Sequence, residues 1–219
     1  MLPPDPNSPF RRFERSMVID YEKWREGVGY DLDAIREASH EERQAIETLL
    51  LNRGARDWRA VEALATLDTA GARAALCKAK YSRDHDVAMA VAHYAPKFLS
   101  DDERTAAIVR ALQNAQFYGG LSEALDEAEE HHPPAVIDAL LRGTIERDGD
   151  VAVHFAALVM FLHGKADSSF DVTQRPFFLT FNTPDDDERT RAFHELCRKA
   201  GLDPEPYMRR LTVGEKTKQ

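Results

Sequence analysis

Histidine and glutamate, two side chains that bind metals or transfer protons, are concentrated around residue 130. Glu127, Glu129 and Glu130 directly precede His131 and His132. Neighbouring histidines at the end of a helix seldom point the same way, and a metal site needs further ligands at a fixed spacing. We therefore expect a solvated turn here, without a bound metal.

The other candidates for chemistry are isolated in the sequence. His154 lies three residues after Val151, where helical spacing turns it toward the core, so we expect a hydrogen-bonded structural ring. A catalytic role would need a carboxylate beside it. Cys77 and Cys197 have no CxxC or metal-ligand spacing and are expected to be buried free thiols. Nucleophile, phosphate-loop and zinc-protease motifs are missing as well, so we predict no enzymatic activity and no cofactor.

A dense apolar cluster lies in the segment 164–183, which breaks the helical pattern as a long connection. Its aromatic members are Phe177, Phe178 and Phe181. They can fold back to seal the open end of a helical stack, because a terminal repeat needs a cap. Alternatively, they stay exposed and bind a partner. The pattern is compatible with both.

The charge balance restricts the partner. The chain has 219 residues and a formal net charge of -9. An acidic protein repels phosphate backbones, so nucleic acid is an unfavourable partner and a basic protein is a more favourable one. No run of about 20 apolar residues predicts a membrane span, and no leader peptide is recognisable. We therefore expect a cytoplasmic protein.

The ends of the chain are predicted to be irregular. Residues 1–16, with four prolines among the first nine, are predicted to be a mobile tail. Residues 17–211 are predicted to form a single helical domain, and residues 212–219 a frayed C-terminus. A last helix is expected over 184–200, with Thr183 as its N-cap.

Between the ends, apolar residues recur at the spacing of amphipathic helices. Ser39 and Ser100 each begin a capping box, and Asp57 and Asp84 are suitable N-caps. The pattern predicts helical hairpins whose first helices begin their apolar stripes at Val61, Val87, Leu121 and Val151. The second helices are predicted at 69–81, 101–113 and 134–147. This period of about 30 residues is typical of stacked helix pairs.

The segments DHDVAMAVAHYAP and DGDVAVHFAALVMF resemble the first helices of HEAT repeats. Asp86-Val87-Ala88 and Asp150-Val151-Ala152 match the opening of such a helix, whereas Tyr118-Gly119-Gly120 departs from the expected turn. The likeness covers residues 57–163. It implies an all-α fold, an α-solenoid of antiparallel helix pairs with an irregular loop before the C-terminal helix.

Arg73, Arg110 and Arg142 occupy similar settings on the three predicted second helices. The resemblance implies that these helices line the concave face, where the arginines would form a basic ladder for an acidic peptide or a phosphate. The other interpretation is ordinary surface arginine with pairing inside each helix.

A repeat stack usually serves as a binding surface. The chain looks like stand-alone bacterial HEAT-like proteins that act as adaptors, or as immunity proteins that occlude a toxin. It also has about the length of HEAT-like alkylpurine DNA glycosylases, which need a basic concave face with aromatic residues. Trp24 and Trp58 are the only tryptophans here, and the net charge has the opposite sign. A protein-binding role is the leading prediction and the glycosylase is the alternative.

Overall fold

The computed structural model describes residues 5–117, 120–147 and 149–208. Over these ranges the protein is all-helical and contains no strand. Residues 1–4 of the predicted tail, the turn residues Tyr118 and Gly119, and the predicted frayed end 212–219 lie outside them.

The chain divides into two compact units, residues 1–107 and residues 108–219. The sequence predicts one domain over 17–211, so the division was not anticipated. Helix α8, Asp101–Asn114, contains the boundary. Among the described residues before it there are seven α-helices: α1 Pro9–Ser16, α2 Tyr21–Arg25, α3 Leu32–Glu37, α4 His40–Arg53, α5 Trp58–Leu67, α6 Ala70–Ala79 and α7 His85–Tyr94.

The second unit continues with five α-helices among its described residues: α9 Leu121–Glu130, α10 Pro134–Glu146, α11 Gly149–Leu162, α12 Arg175–Phe178 and α13 Asp186–Ala200. The predicted connection 164–183 is not wholly irregular, because α12 lies between two 3-10 turns within it. Asp185, rather than Thr183, caps α13, since its carboxylate accepts the amide of Glu188 at 2.9 Å.

The predicted helices of the hairpins are confirmed, with small shifts at their ends. Their caps follow the sequence signals. Ser39 and Glu42 form the predicted capping box, and Asp57 and Asp84 accept backbone amides at the starts of α5 and α7. The predicted first helices pack on each other within each unit: α5 contacts α7, and α9 contacts α11.

The prediction of a mobile tail over 1–16 is wrong for residues 9–16, which form helix α1. Phe10 and Phe13 on this helix are buried, and Ser8 caps its first turn. The prolines suggested a tail, but Pro9 occupies the first helical position, where a missing amide donor costs nothing. An eight-residue helix is marginal alone, so burial of the two rings is what stabilises it.

A buried carboxylate joins α1 to α4. Glu42 accepts the amide of Ser39 at 3.0 Å, at the start of its own helix, and the amide of Phe10 at 3.3 Å. Burial by itself would raise the pKa of Glu42, but these bonds and those from the Ser8 and Ser39 hydroxyls outweigh it, so the pKa is lowered. The side chain of Glu42 thus accepts hydrogen bonds from backbone amides at the amino ends of two helices.

Arg43, the next residue along the chain, donates hydrogen bonds to carbonyls at the ends of two other helices. The guanidinium of Arg43 donates to the carbonyl of Ile35 at 3.0 Å and to the carbonyl of Leu67 at 2.9 Å. These carbonyls lie in the last turns of α3 and α5, where helices lack internal donors. Arg43 therefore fixes α4 against two other helices of unit 1.

In unit 2, the close approach of α10 and α11 depends on Gly143. A Cβ atom at this position would lie 2.3 Å from Cδ2 of Phe155, a ring that is fully buried. Only glycine lets the ring lie against the backbone of α10.

We predict that Gly143→Ala destabilises unit 2 by about 1–3 kcal/mol, because overpacking outweighs the ~1 kcal/mol that alanine gains in a helix. Gly71→Ala is the matched control, since the atoms nearest to its Cβ would be the side-chain ends of Glu47 and Leu51 rather than a buried ring. Urea unfolding of both variants measures the difference. Equal stability of the two would contradict the packing argument.

We predict that Glu42→Ala costs about 2 kcal/mol, because two amides lose their acceptor. Hydrogen exchange of α1 should accelerate, whereas the exposed neighbour variant Glu41→Ala should leave it unchanged. Because the folded pKa of Glu42 is lowered, its contribution is present above about pH 4.5 and is lost as pH falls through the folded value. A constant difference down to pH 2 would disprove this.

Candidate binding sites

The predicted absence of a metal site at His131 and His132 stays a prediction. The described residues contain no group of three or more metal-ligating side chains. The ring of His132 instead hydrogen-bonds the backbone carbonyl of Glu129 at 2.9 Å.

The two cysteines differ in their exposure to solvent. Cys197 is buried, and burial raises the pKa of its thiol to about 11, which leaves it unreactive. Cys77 is exposed on α6, so the expectation of two buried thiols is wrong for this residue. Its helix face turns outward, because the buried side of α6 is formed by Ala72, Leu76 and Ala79.

His154 is half-buried among aromatic rings rather than embedded in an aliphatic core. Its ring lies 4.8 Å from that of Phe170 and 6.1 Å from that of Phe117. Burial lowers its pKa, and the nearby carboxylate of Asp150 only partly opposes this. The imidazole is therefore neutral at pH 7.

The three predicted ladder arginines fall in different units. Arg73 belongs to unit 1 and pairs with Asp68 at 2.9 Å. Arg110 and Arg142 belong to unit 2; Arg110 is exposed, and Arg142 pairs with Asp138 one turn earlier at 2.8 Å. The pair in α10 is the intrahelical pairing of the second interpretation, and the ladder stays a prediction.

The predicted aromatic patch is largely core. Phe178 and Phe181 are fully buried in unit 2, where their segment packs against α11 and α13, so they are not available to a partner. Phe177 is half-buried, with its ring edge-on to that of Phe181 and the ammonium of Lys199 5.2 Å from its centroid. The segment therefore packs into the core of unit 2, and its role as the cap of a helical stack stays a prediction.

An aromatic surface that the sequence reasoning missed lies at the start of unit 1. Tyr21 and Trp24 on α2 are 70% and 64% exposed, and we call these two rings the α2 aromatic surface. Val18, just before the helix, is 67% exposed. The rings of Tyr21 and Trp24 stack at 6.0 Å with an angle of 29°. Their spacing of three residues was the available signal, but the same spacing is typical of a core-facing stripe.

The segment that carries this surface is held at several points. Asp20 caps α2 by accepting the amide of Lys23, whose ammonium donates to the carbonyl of Val18 at 3.0 Å. After the helix, the carbonyl of Val28 accepts from Nε of Arg59 at 2.6 Å. The first two bonds order the segment internally, and the bond from Arg59 attaches its C-terminal side to α5.

Glu62 lies beneath this segment on α5. A Cβ atom at Gly29 would be 3.3 Å from its Oε2, and the neighbouring Trp58 ring stacks on Tyr94 at 6.2 Å. Burial raises the pKa of Glu62, and the charges of His93 and Arg36 oppose this only in part. The carboxylate is thus placed where its charged form is poorly solvated.

Comparison with known proteins gives no relative: no protein-family model, no curated protein and no solved structure matches this chain. The HEAT-like resemblance therefore stays a prediction. Among the described helices, none is both long enough and apolar enough to cross a membrane.

We predict that Glu62→Gln raises the melting temperature of unit 1 at pH 7.5. Because the folded pKa is raised, the folded state loses stability as pH rises from about 4.5 through that pKa, and the amide removes this loss. Near pH 4 the variant and the original protein should melt together. Glu123→Gln, at an exposed glutamate, is the control, and calorimetry is the measurement. A destabilising effect at pH 7.5 would show that the charge is favourable in place.

Proposed function

We propose that the protein is a non-enzymatic, protein-binding helical-repeat protein, an adaptor or an immunity protein, that contacts its partner through the α2 aromatic surface. The observation that carries the proposal is the exposure of Tyr21 and Trp24 as a stacked pair. Tryptophan and tyrosine dominate the residues that supply binding energy at protein interfaces. Such rings are seldom left in water together without an interaction to serve.

The local order of this segment supports the same proposal. A surface that is already ordered loses little conformational entropy on binding, so more of the apolar contact energy appears as affinity. The hydrogen bonds of Asp20 and Lys23 order the segment internally, and the bond from Arg59 attaches it to α5. Helix α2 buries none of its own residues, so its aromatic side chains contribute to something other than the core.

Two further observations support a protein-binding helical-repeat protein. The contact of α5 with α7 in unit 1, and of α9 with α11 in unit 2, is the packing of successive first helices that a HEAT-like stack requires. The net charge of -9 favours a basic partner and accelerates encounter with it.

We predict that the double variant Tyr21→Ser/Trp24→Ser loses its partner while the fold persists, because the exposed rings do not support the core. Affinity capture from the native host identifies the partner, and titration calorimetry then compares variants. We expect the double variant to bind at least about 30-fold more weakly, which corresponds to about 2 kcal/mol.

Tyr81→Ser is the matched control, since Tyr81 is similarly exposed at 69% in the same unit. It should bind as the original protein does, and circular dichroism should give the same helix content for all variants. Capture of no stoichiometric partner, or unchanged affinity of the folded double variant, would disprove the proposal.

A further inference from the structure

Unit 2 contains an open surface cleft whose lining includes Phe117 and Asp150, the neighbours of His154 described above. Its volume is about 480 Å³. Its walls come from the segment after α8, the end of α10 and the start of α11. The lining residues are Gln116, Phe117, Glu146, Arg147, Asp150 and Val151.

Among the described lining residues, the one cation is Arg147, and it is already hydrogen-bonded. Nη1 of Arg147 donates to the carbonyl of Gln113 at 2.6 Å, and its Nη2 donates to the carbonyl of Ala115. These carbonyls lie at the end of α8, so Arg147 acts as a structural cap. Its hydrogen bonds therefore go to backbone carbonyls rather than to the two carboxylates of the cleft.

The two carboxylates of the cleft, Glu146 and Asp150, make few hydrogen bonds. Within the described part of the chain, Glu146 is exposed and makes no hydrogen bond or ion pair. Asp150 accepts one long bond, at 3.5 Å, from the side-chain amide of Asn182. Two anionic groups thus face the cleft with most of their hydrogen-bonding capacity unused.

An aromatic wall completes the cleft. Phe117 is 46% exposed, and its ring is the outermost of a series of neighbouring rings that reaches the core of unit 2. His154 lies next to Phe117, Phe170 lies next to His154, and Phe170 lies 5.8 Å from the buried Phe178. Because burial keeps His154 neutral, it adds no positive charge behind the Phe117 ring.

We propose that this cleft binds the guanidinium group of an arginine in a basic segment of a partner protein. The planar cation stacks on Phe117, and its donors pair with the carboxylates of Glu146 and Asp150. Aromatic faces attract cations, and guanidinium combines such stacking with paired hydrogen bonds to carboxylates. Anionic ligands are less suited than cations, because the described lining carries two carboxylates against one guanidinium.

The inference goes beyond the function proposed above, because it concerns a second site in the other unit and names the chemistry of its ligand. It holds whether or not the α2 aromatic surface binds the same partner. The two proposals are therefore tested with different variants and different readouts.

The test uses fluorescein-labelled synthetic peptides and the full chain, with binding followed by fluorescence anisotropy at low salt. The first peptide carries two arginines among glycines and serines. In the other two, lysine or citrulline replaces arginine; citrulline keeps the planar shape and removes the charge. We expect the arginine peptide to bind tightest, the lysine peptide several-fold more weakly and the citrulline peptide not measurably.

Variants then locate the site. Glu146→Gln, Asp150→Asn and Phe117→Leu should each weaken binding of the arginine peptide about tenfold, the effect of a lost hydrogen bond or stacking contact to a charged group. Glu123→Gln is the matched control, an exposed carboxylate on α9 outside the cleft whose loss changes the net charge equally.

Three results would overturn the inference. The arginine peptide does not bind, or it binds no more tightly than the lysine peptide, or Glu123→Gln weakens binding as much as Glu146→Gln does. Tyr21→Ser/Trp24→Ser should leave the peptide affinity unchanged. Failure of the α2 aromatic surface in partner capture is thus separable from failure of the cleft.

Discussion

The structure depends on how the polar ends of many short helices are satisfied. Each helix leaves amides at its start and carbonyls at its end without internal partners, and packing these ends into a core without partners is unfavourable. In unit 1, two consecutive residues of α4 solve the problem in both directions. Glu42 accepts amides at the starts of α1 and α4, and Arg43 donates to carbonyls near the ends of α3 and α5. Four helices are thereby fixed around one turn of α4.

Unit 2 uses guanidinium groups in the same way. Arg189 donates to the carbonyls of Ile145 and Thr183, and Arg147 donates to the last carbonyls of α8 and just beyond it. The hydrogen bonds of Arg147 fix the position of its guanidinium in the cleft lining without removing its charge, so the described lining carries two carboxylates and one guanidinium. The packing of the helices thus sets where these charges lie.

The candidate binding surfaces are formed by side chains that are not buried in the core. Helix α2 contributes no buried residue, and yet it carries two stacked aromatic rings on a helix that is capped by Asp20. In contrast, Phe178 and Phe181 are buried where their segment packs against α11 and α13. Exposure of aromatic rings on a fixed scaffold is a property of binding proteins, because it supplies contact area at low entropic cost.

The sequence by itself determined the helical class, the places of α5 to α11 and the caps of α5, α7 and α8, because helical period and capping are local properties of the backbone. It did not determine the fate of apolar residues outside the regular hairpins. Phe10 and Phe13 are core although prolines precede them, Phe178 and Phe181 are buried in unit 2, and Tyr21 and Trp24 remain exposed. Only the tertiary structure decided these outcomes. A spacing of three or four residues defines a face of a helix, whereas burial of that face depends on partners distant in the sequence.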